Sequence, residues 1–484
     1  MQPLTRRHFL SGVAALCAPA LIGLPRARAA ALPDPPNLPA DQALLLRPGD
    51  DAFAAYQLSF NARIVVEPQL RVACKTADAV RTMVGWCRTH AVPFAVRGGG
   101  HCYEGLAQSP SVVIDTRLIN RISVDARRET VTVGAGASLG AIYRAISKVA
   151  VPKAKGQQFA LPAGSCPTVG VAGHVLGGGY GFLARPLGLA CDSLEAIEVV
   201  DANANRVEAT AKNNADLFWA CRGGGGGSFG IATQFRFRLH PLGPLAVFGM
   251  SFRASPVSAV KIMRDWQAFA PQAPKPITAL LRISRRSDGD LDLRCFGQST
   301  GSTAQLRRAL KVLGSPPQIT TKSVFQAINH FAGPDGWQYE SAQMKGKSDY
   351  VMTTLDDAAL AALMTGVQQS RTPITVICDP YGGAILDTAP DATAFAHRGA
   401  RYCLQYVCAW SDSRAAEHLD DMRTLHTTMR PHMSGGGAYV NYCDMDVADF
   451  PQAYWGQNLA RLRQIKSAVD PDNVFRHAQS VPGS

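Results

Sequence analysis

The chain has 484 residues, 46% hydrophobic and 18% charged, with 44 Gly, 31 Pro and 12 Cys. At about 100–200 residues per domain it holds two or more units, and this composition excludes disorder, coiled coil and collagen. Forty-nine Lys and Arg against 37 Asp and Glu give +12, but Arg6, Arg7, Arg26 and Arg28 supply four of those charges and the remaining +8 is scattered, which reads as a solvated surface and not a nucleic-acid partner.

Thr5-Arg6-Arg7-His8-Phe9-Leu10 leads into a mildly apolar stretch to Leu24 and then Ala27-Arg28-Ala29. The pattern reads as a twin-arginine export signal over 1–31, with the Tat translocon as a transient partner and a periplasmic or secreted destination. A membrane anchor needs about 20 strongly apolar residues; here Ser11, Gly12, Pro19 and Gly23 interrupt a shorter stretch, so no stable anchor is expected. Twin-arginine export carries folded proteins, often around a cofactor already loaded, so a tightly held cofactor is expected.

The Pro-rich stretch 32–48 reads as an N-terminal arm, with folded structure beginning after it. Val80, Met83, Val84 and Cys87 recur at helical spacing and predict a helix over 76–88. An apolar strand over 92–96 runs into Arg97-Gly98-Gly99-Gly100-His101. Short strands follow at 112–115 and 130–133, with a helix over 138–147. After a glycine run at 223–230, Ile231, Thr233, Phe235, Phe237 and Leu239 alternate with Gln234, Arg236, Arg238 and His240, the period of a strand. The stretch 241–433 mixes helices (257–269, 304–313, 355–368) with alternating strands such as 291–296 and reads as a separate α+β unit. Leu459, Leu462, Ile465 and Val469 form one helical face that ends at Asp470-Pro471-Asp472-Asn473. The division is therefore 1–31, 32–240, 241–433 and 434–484.

No C-x-x-C pair and no H-x-x-x-H pair occurs, so zinc ribbons, thioredoxin-like sites and c-type haem find no support and no metal is expected. Eleven cysteines remain once Cys17 leaves with the signal, and the odd number puts at least one outside intramolecular disulfides. Glycines cluster at 98–100, 134–140, 177–181 and 223–230. Only Gly225, Gly227 and Gly230 fit the G-x-G-x-x-G spacing, and the strand that follows them rules out a Rossmann turn, which must open a helix. Bounded by strands and large side chains, these loops are read as a cofactor cradle in which bare backbone approaches a ligand.

Four segments in order carry a family resemblance: Arg97-Gly98-Gly99-Gly100-His101 with Tyr103-Glu104-Gly105; Gly164 to His174 running to Gly177-Gly178-Gly179-Tyr180-Gly181; Leu217 to Arg222 with the glycine run; and Tyr439-Val440-Asn441-Tyr442-Cys443-Asp444 with Tyr454-Trp455-Gly456. Together they resemble the berberine bridge enzyme-like flavoproteins, here as a bacterial exported member. One departure is Ala172, where glycine is usual. The resemblance implies an α+β fold: a two-lobed PCMH-type FAD-binding domain, built from the N-terminal segment and a C-terminal return, and an α+β substrate domain with an antiparallel sheet.

The resemblance also implies FAD attached twice, through His101 and Cys166, and cradled by Arg97, Gly98, Gly99, Gly100, Val169, Gly170, Gly173, His174, Gly178, Gly181, Ile231 and Asn441. Berberine bridge enzyme takes its proton with a glutamate in Y-x-x-E-Y; the matching stretch here is Tyr402-Cys403-Leu404-Gln405-Tyr406, and Gln405 cannot be a base. This points to the branch that oxidises sugars or alcohols with tyrosines, Tyr442 as base and Tyr180 as its partner. A tyrosine starts near a pKa of about 10 and needs help to ionise; Cys403 stands where a helping lysine is found in plant members, so the activation of Tyr442 is open. Val169, three residues after Cys166, implies access for O2 and an oxidase that releases H2O2. The leading expectation is an oxidase of a hydroxylated small molecule, sugar or oligosaccharide first. Alternatives are a secondary-metabolite oxidase of an alcohol or phenolic intermediate, and a non-catalytic flavin-binding protein whose decayed site is signalled by Gln405 and Cys403.

Overall fold

The computed structural model describes residues 31–152 and 154–483, so residues 1–30 of the expected export signal lie outside it. Three substantial sheets organise the described residues. A four-stranded sheet runs in the order Ala43–Leu46, Leu70–Cys74, Val112–Asp115, Phe94–Arg97, with the first pair antiparallel and the others parallel. The helix Ala77–Thr89 covers it and buries Val80, Met83, Val84 and Cys87 on the face their spacing predicts. Thr76 caps that helix by accepting from the Ala79 N–H at 3.1 Å, with Asp78 in the first turn and Arg88 in the last, each charge suited to the helix dipole.

A five-stranded antiparallel sheet follows in the order Ile122–Asp125, Thr130–Gly134, Ile231–Arg238, Leu194–Val200, Arg206–Thr210. Phe235 and Phe237 of its central strand are fully buried, whereas Gln234, Arg236 and Arg238 face solvent, as the alternation predicts. The third sheet is antiparallel and seven-stranded: Gln318–Lys322, Leu245–Ala254, Leu291–Ser299, Ile277–Arg285, Thr375–Pro380, Tyr402–Trp410, Gln343–Val351. Helices Pro256–Phe269, Asp357–Gln369 and Ala415–Met429 pack on one of its faces over a core of Leu281, Leu293, Val376, Leu404 and Tyr406. Its other face is turned toward the glycine loops. The architecture is α+β.

The stretch 32–48 departs from its reading as an arm outside the fold. Ala43–Leu46 pairs with Leu70–Cys74, and the Asp34 carbonyl accepts from the Trp86 indole N–H at 2.9 Å. A four-residue edge strand with only Ala43 and Leu46 buried is too short to show a period, and the prolines around it concealed it. The strand read over 92–96 begins at Phe94, because Pro93 has no N–H and the Val92 N–H closes the preceding helix on the Cys87 carbonyl at 2.8 Å.

Candidate active site

The glycine loops and the open face of the seven-stranded sheet enclose a cavity of about 600 Å3, within the roughly 300–1,000 Å3 of small-molecule and cofactor sites. Two loops make its floor, and they cross where both are glycine. A Cβ on Gly99 would sit 2.4 Å from the Gly170 nitrogen, and one on Gly170 would sit 2.5 Å from the Gly99 nitrogen. At Gly181 a Cβ would meet the Ala163 carbonyl oxygen at 2.0 Å. By contrast, Gly173 turns a bare face into the cavity, with nothing within 4 Å of an added Cβ. Backbone exposed in this way admits a flat ligand at close range, and it fits a flavin.

Gly98, Gly99, Gly100 and His101 line the cavity from the first loop, and Cys166, Val169, Gly170, Gly173 and His174 from the second. Tyr180, Gly181, Asn441, Tyr442 and Gln405 complete the set drawn together from across the chain. The His101 ring stacks on Phe60 at 4.4 Å between centroids and meets the edge of Tyr339. Cys166 is half-buried, its sulfur 3.4 Å from the Thr168 hydroxyl. Burial lowers His174 to a pKa of about 4, so its neutral ring accepts from the Gly164 N–H at 3.0 Å through Nε2. Asn441 donates to the His174 carbonyl and to the Tyr439 hydroxyl, which itself accepts from the Gly179 and Tyr180 N–H groups. The C-terminal motif is thereby tied to the second loop.

Arg97, Gly178 and Ile231 stand behind the cavity wall. Arg97 is buried and donates to the Ser59 hydroxyl at 2.9 Å and to the Leu58 carbonyl, fixing the start of the first loop. Gly178 takes a φ of +105° against the Phe395 ring, and Ile231 is core between the first two sheets.

On the substrate side the two tyrosines have different partners. The Tyr180 hydroxyl donates to the Pro380 carbonyl at 3.0 Å, and its ring stacks on Tyr381. The Tyr442 hydroxyl donates to Asp379 Oδ2 at 3.2 Å, and its ring lies parallel to Tyr103, 6.0 Å away. Gln405 donates to the Tyr103 hydroxyl at 3.0 Å. Burial, with Asp379 adding to it, pushes Tyr442 well above the ordinary tyrosine value, which disfavours phenolate. Burial also raises Asp379, to about 7, against the lowering effect of the Tyr442 hydrogen bond. Asp379 had no motif to mark it; it is placed by strand register, directly opposite Cys403. Further out on the same sheet face, Arg282 and Arg294 are a cross-strand pair that shares the Asp292 carboxylate and lines the cavity. Among the described residues no group of three or more His, Cys, Asp or Glu converges as metal ligands.

Asp444 anchors the segment that carries Tyr442. Its carboxylate receives Lys345 at 2.5 Å and Lys347 at 2.7 Å, with both lysines only 2–3% exposed. Lys345 also bonds Glu104 of the first loop, and Lys347 bonds Asp446 at 2.7 Å. One buried ionic knot therefore joins the first loop, the C-terminal motif and the edge strand Gln343–Val351.

Comparison with known proteins agrees with this construction. A family model described as "FAD binding domain" matches residues 68–210, and one described as "Berberine and berberine like" matches 438–482. The FAD-linked oxidoreductase YgaK of Bacillus subtilis is 30% identical over 445 residues, covering 90% of this chain and 95% of that protein. The structure of Physcomitrella patens BBE-like 1 superposes with a TM-score of 0.83 at 30% identity, over 92% of this chain and 98% of that one. A variant of Phl p 4 described as a glucose oxidase superposes with a TM-score of 0.81 at 30% identity, over 91% and 97%. The site and fold define an FAD-linked oxidoreductase. The chain belongs to the berberine bridge enzyme-like family, with its PCMH-type FAD-binding fold.

Proposed function

We propose that the protein is an oxidase carrying FAD on two covalent bonds, from His101 and Cys166, and acting on a hydroxylated small molecule, sugar or oligosaccharide first. The observation that carries this reading is the Tyr442–Asp379 pair in the cavity wall: a phenol hydrogen-bonded to a buried carboxylate whose pKa of about 7 suits proton acceptance at neutral pH. The flavin supplies hydride acceptance and reoxidation by O2 with release of H2O2. In this reading Asp379 activates Tyr442 without a lysine at position 403, which the hydrogen bond between them supports. The Tyr442 oxygen takes the substrate hydroxyl proton as its own proton passes to Asp379 Oδ2, so no free phenolate is needed. Tyr180, its hydroxyl held by the Pro380 carbonyl, packs the adjacent wall, and Gln405 holds Tyr103 against the Tyr442 ring.

The glucose-oxidase description of the Phl p 4 variant supports a sugar substrate. Phe182, Phe296 and Phe331 cluster on the same cavity and favour a second reading, a phenolic or other aromatic alcohol from secondary metabolism. Export by the twin-arginine route to the periplasm or medium is supported by the Arg6-Arg7 pattern, and the division at 240 and 433 by the confinement of the seven-stranded sheet to residues 245–410.

Double attachment predicts that denatured protein on a gel keeps its flavin fluorescence. Either His101→Ala or Cys166→Ala alone should retain flavin on the remaining bond, and only the double substitution should release it. Complete release from the unfolded parent protein would overturn the attachment.

A further inference from the structure

We propose that Cys102 and Cys443 form a disulfide, made by hydrogen peroxide, that clamps the first flavin loop to the segment carrying Tyr442. The two sulfurs lie 3.7 Å apart although the residues are 341 positions apart in sequence, and both line the cavity. Cys102 directly follows His101 and Cys443 directly follows Tyr442, so a bond between them would set the spacing of the attachment residue and the proton acceptor. Closing the contact to a bond of about 2.05 Å asks for a movement of less than about 2 Å.

The surroundings assign the two thiols different roles. A hydrogen bond from Cys443 lowers Cys102 to a pKa of about 7, aided by the Glu104, Leu106 and Ala107 backbone N–H groups and opposed by burial. Cys443 is pushed up by the same contact and by burial. Cys102 is therefore the nucleophile and Cys443 the resolving thiol. The Cys102 thiolate attacks peroxide; an S–O bond forms, the O–O bond breaks, and the departing hydroxide takes a proton and leaves as water. Cys443 then attacks the sulfenic sulfur; the S–S bond forms, the S–O bond breaks, and the second oxygen leaves as water with the thiol proton. Two thiols and one H2O2 give one disulfide and two waters, with the sulfurs oxidised by two electrons and the peroxide reduced by two. Only the natural source of the peroxide rests on the oxidase reading above.

The test uses reduced holoprotein treated with equimolar H2O2, acid-quenched, alkylated and digested without reductant. The expected result is a linked peptide pair containing Cys102 and Cys443, the loss of those two alkylation sites, and a Tm higher than that of the reduced protein. Cys443→Ser should leave a sulfenic acid on Cys102 that dimedone captures. Both thiols remaining alkylatable, or Cys102 passing to sulfinic acid while Cys443 stays free, would overturn the proposal. A link that forms with added peroxide but not during aerobic turnover would uphold the clamp and count against the oxidase reading.

Discussion

Asp379→Asn will slow flavin reduction by a hydroxylated substrate on the order of 10²- to 10⁴-fold, the span of a lost general base. The amide keeps the volume of the carboxylate and can still accept from the Tyr442 hydroxyl, but it cannot take the proton. Because Asp379 is buried and no cation among the described residues pairs with it, the amide should leave the melting temperature near that of the parent protein, so the rate loss reports chemistry and not unfolding. Tyr442→Phe should lose a similar factor, since both members serve one transfer and their effects will not add. The pH profile carries the sign. Asp379 is neutral below its pKa of about 7 and cannot accept a proton, so the limiting reduction rate should fall about tenfold per unit below that point and reach a plateau above it. Asp379→Asn should flatten the step. Stopped-flow absorbance under anaerobic conditions reads all three, and a parent profile flat from pH 5 to 9 would place the proton acceptor elsewhere.

Asp444→Asn will destabilise the folded protein by about 3–5 kcal/mol, the cost of removing one partner from a buried ion pair. Lys345 and Lys347 would then have to share Glu104 and Asp446 inside the fold. Burial alone would raise the Asp444 pKa, and the two lysines override it and hold it below the ordinary carboxylate range. A depressed carboxylate contributes stability above its unfolded value, near a pH of about 3.9, and loses it as the pH falls through the folded value. The parent should therefore hold its Tm at neutral pH and lose this contribution only in strong acid, whereas Asp444→Asn should melt several degrees lower at pH 7. Equal melting curves at pH 7 would show that the knot does not stabilise the fold.

Legibility in the sequence followed the reach of each signal. The helix Ala77–Thr89 and the strand Ile231–Arg238 showed because their periods repeat over eight or more residues. The floor of the cavity showed in part because its constraints are local: a Cβ at Gly99 or Gly170 would lie 2.4–2.5 Å from the facing backbone nitrogen, so both crossing positions are glycine; Gly99 sits in a recognisable run, whereas Gly170 stands alone and showed only through the family resemblance. Asp379 lay in Cys378-Asp379-Pro380 with no motif, and only the register of Thr375–Pro380 on Tyr402–Trp410 puts it beside Tyr442. Lys345 and Lys347 alternate with small and apolar residues in the pattern of a solvated edge strand; their burial depends on acids about 100 and 240 positions away in the chain. Cys102 and Cys443 belong to two separate motifs, and spacing along the chain says nothing of a contact between them.

The most direct measurement is anaerobic mixing of the holoprotein with a panel of aldoses, oligosaccharides and aliphatic and aromatic alcohols while the visible absorbance of the flavin is recorded. Bleaching by at least one hydroxylated compound, followed by peroxide in equal amount when air is readmitted, is the expected result. A flavin that chemical reductant bleaches but no member of the panel does would contradict hydride transfer from a hydroxylated substrate.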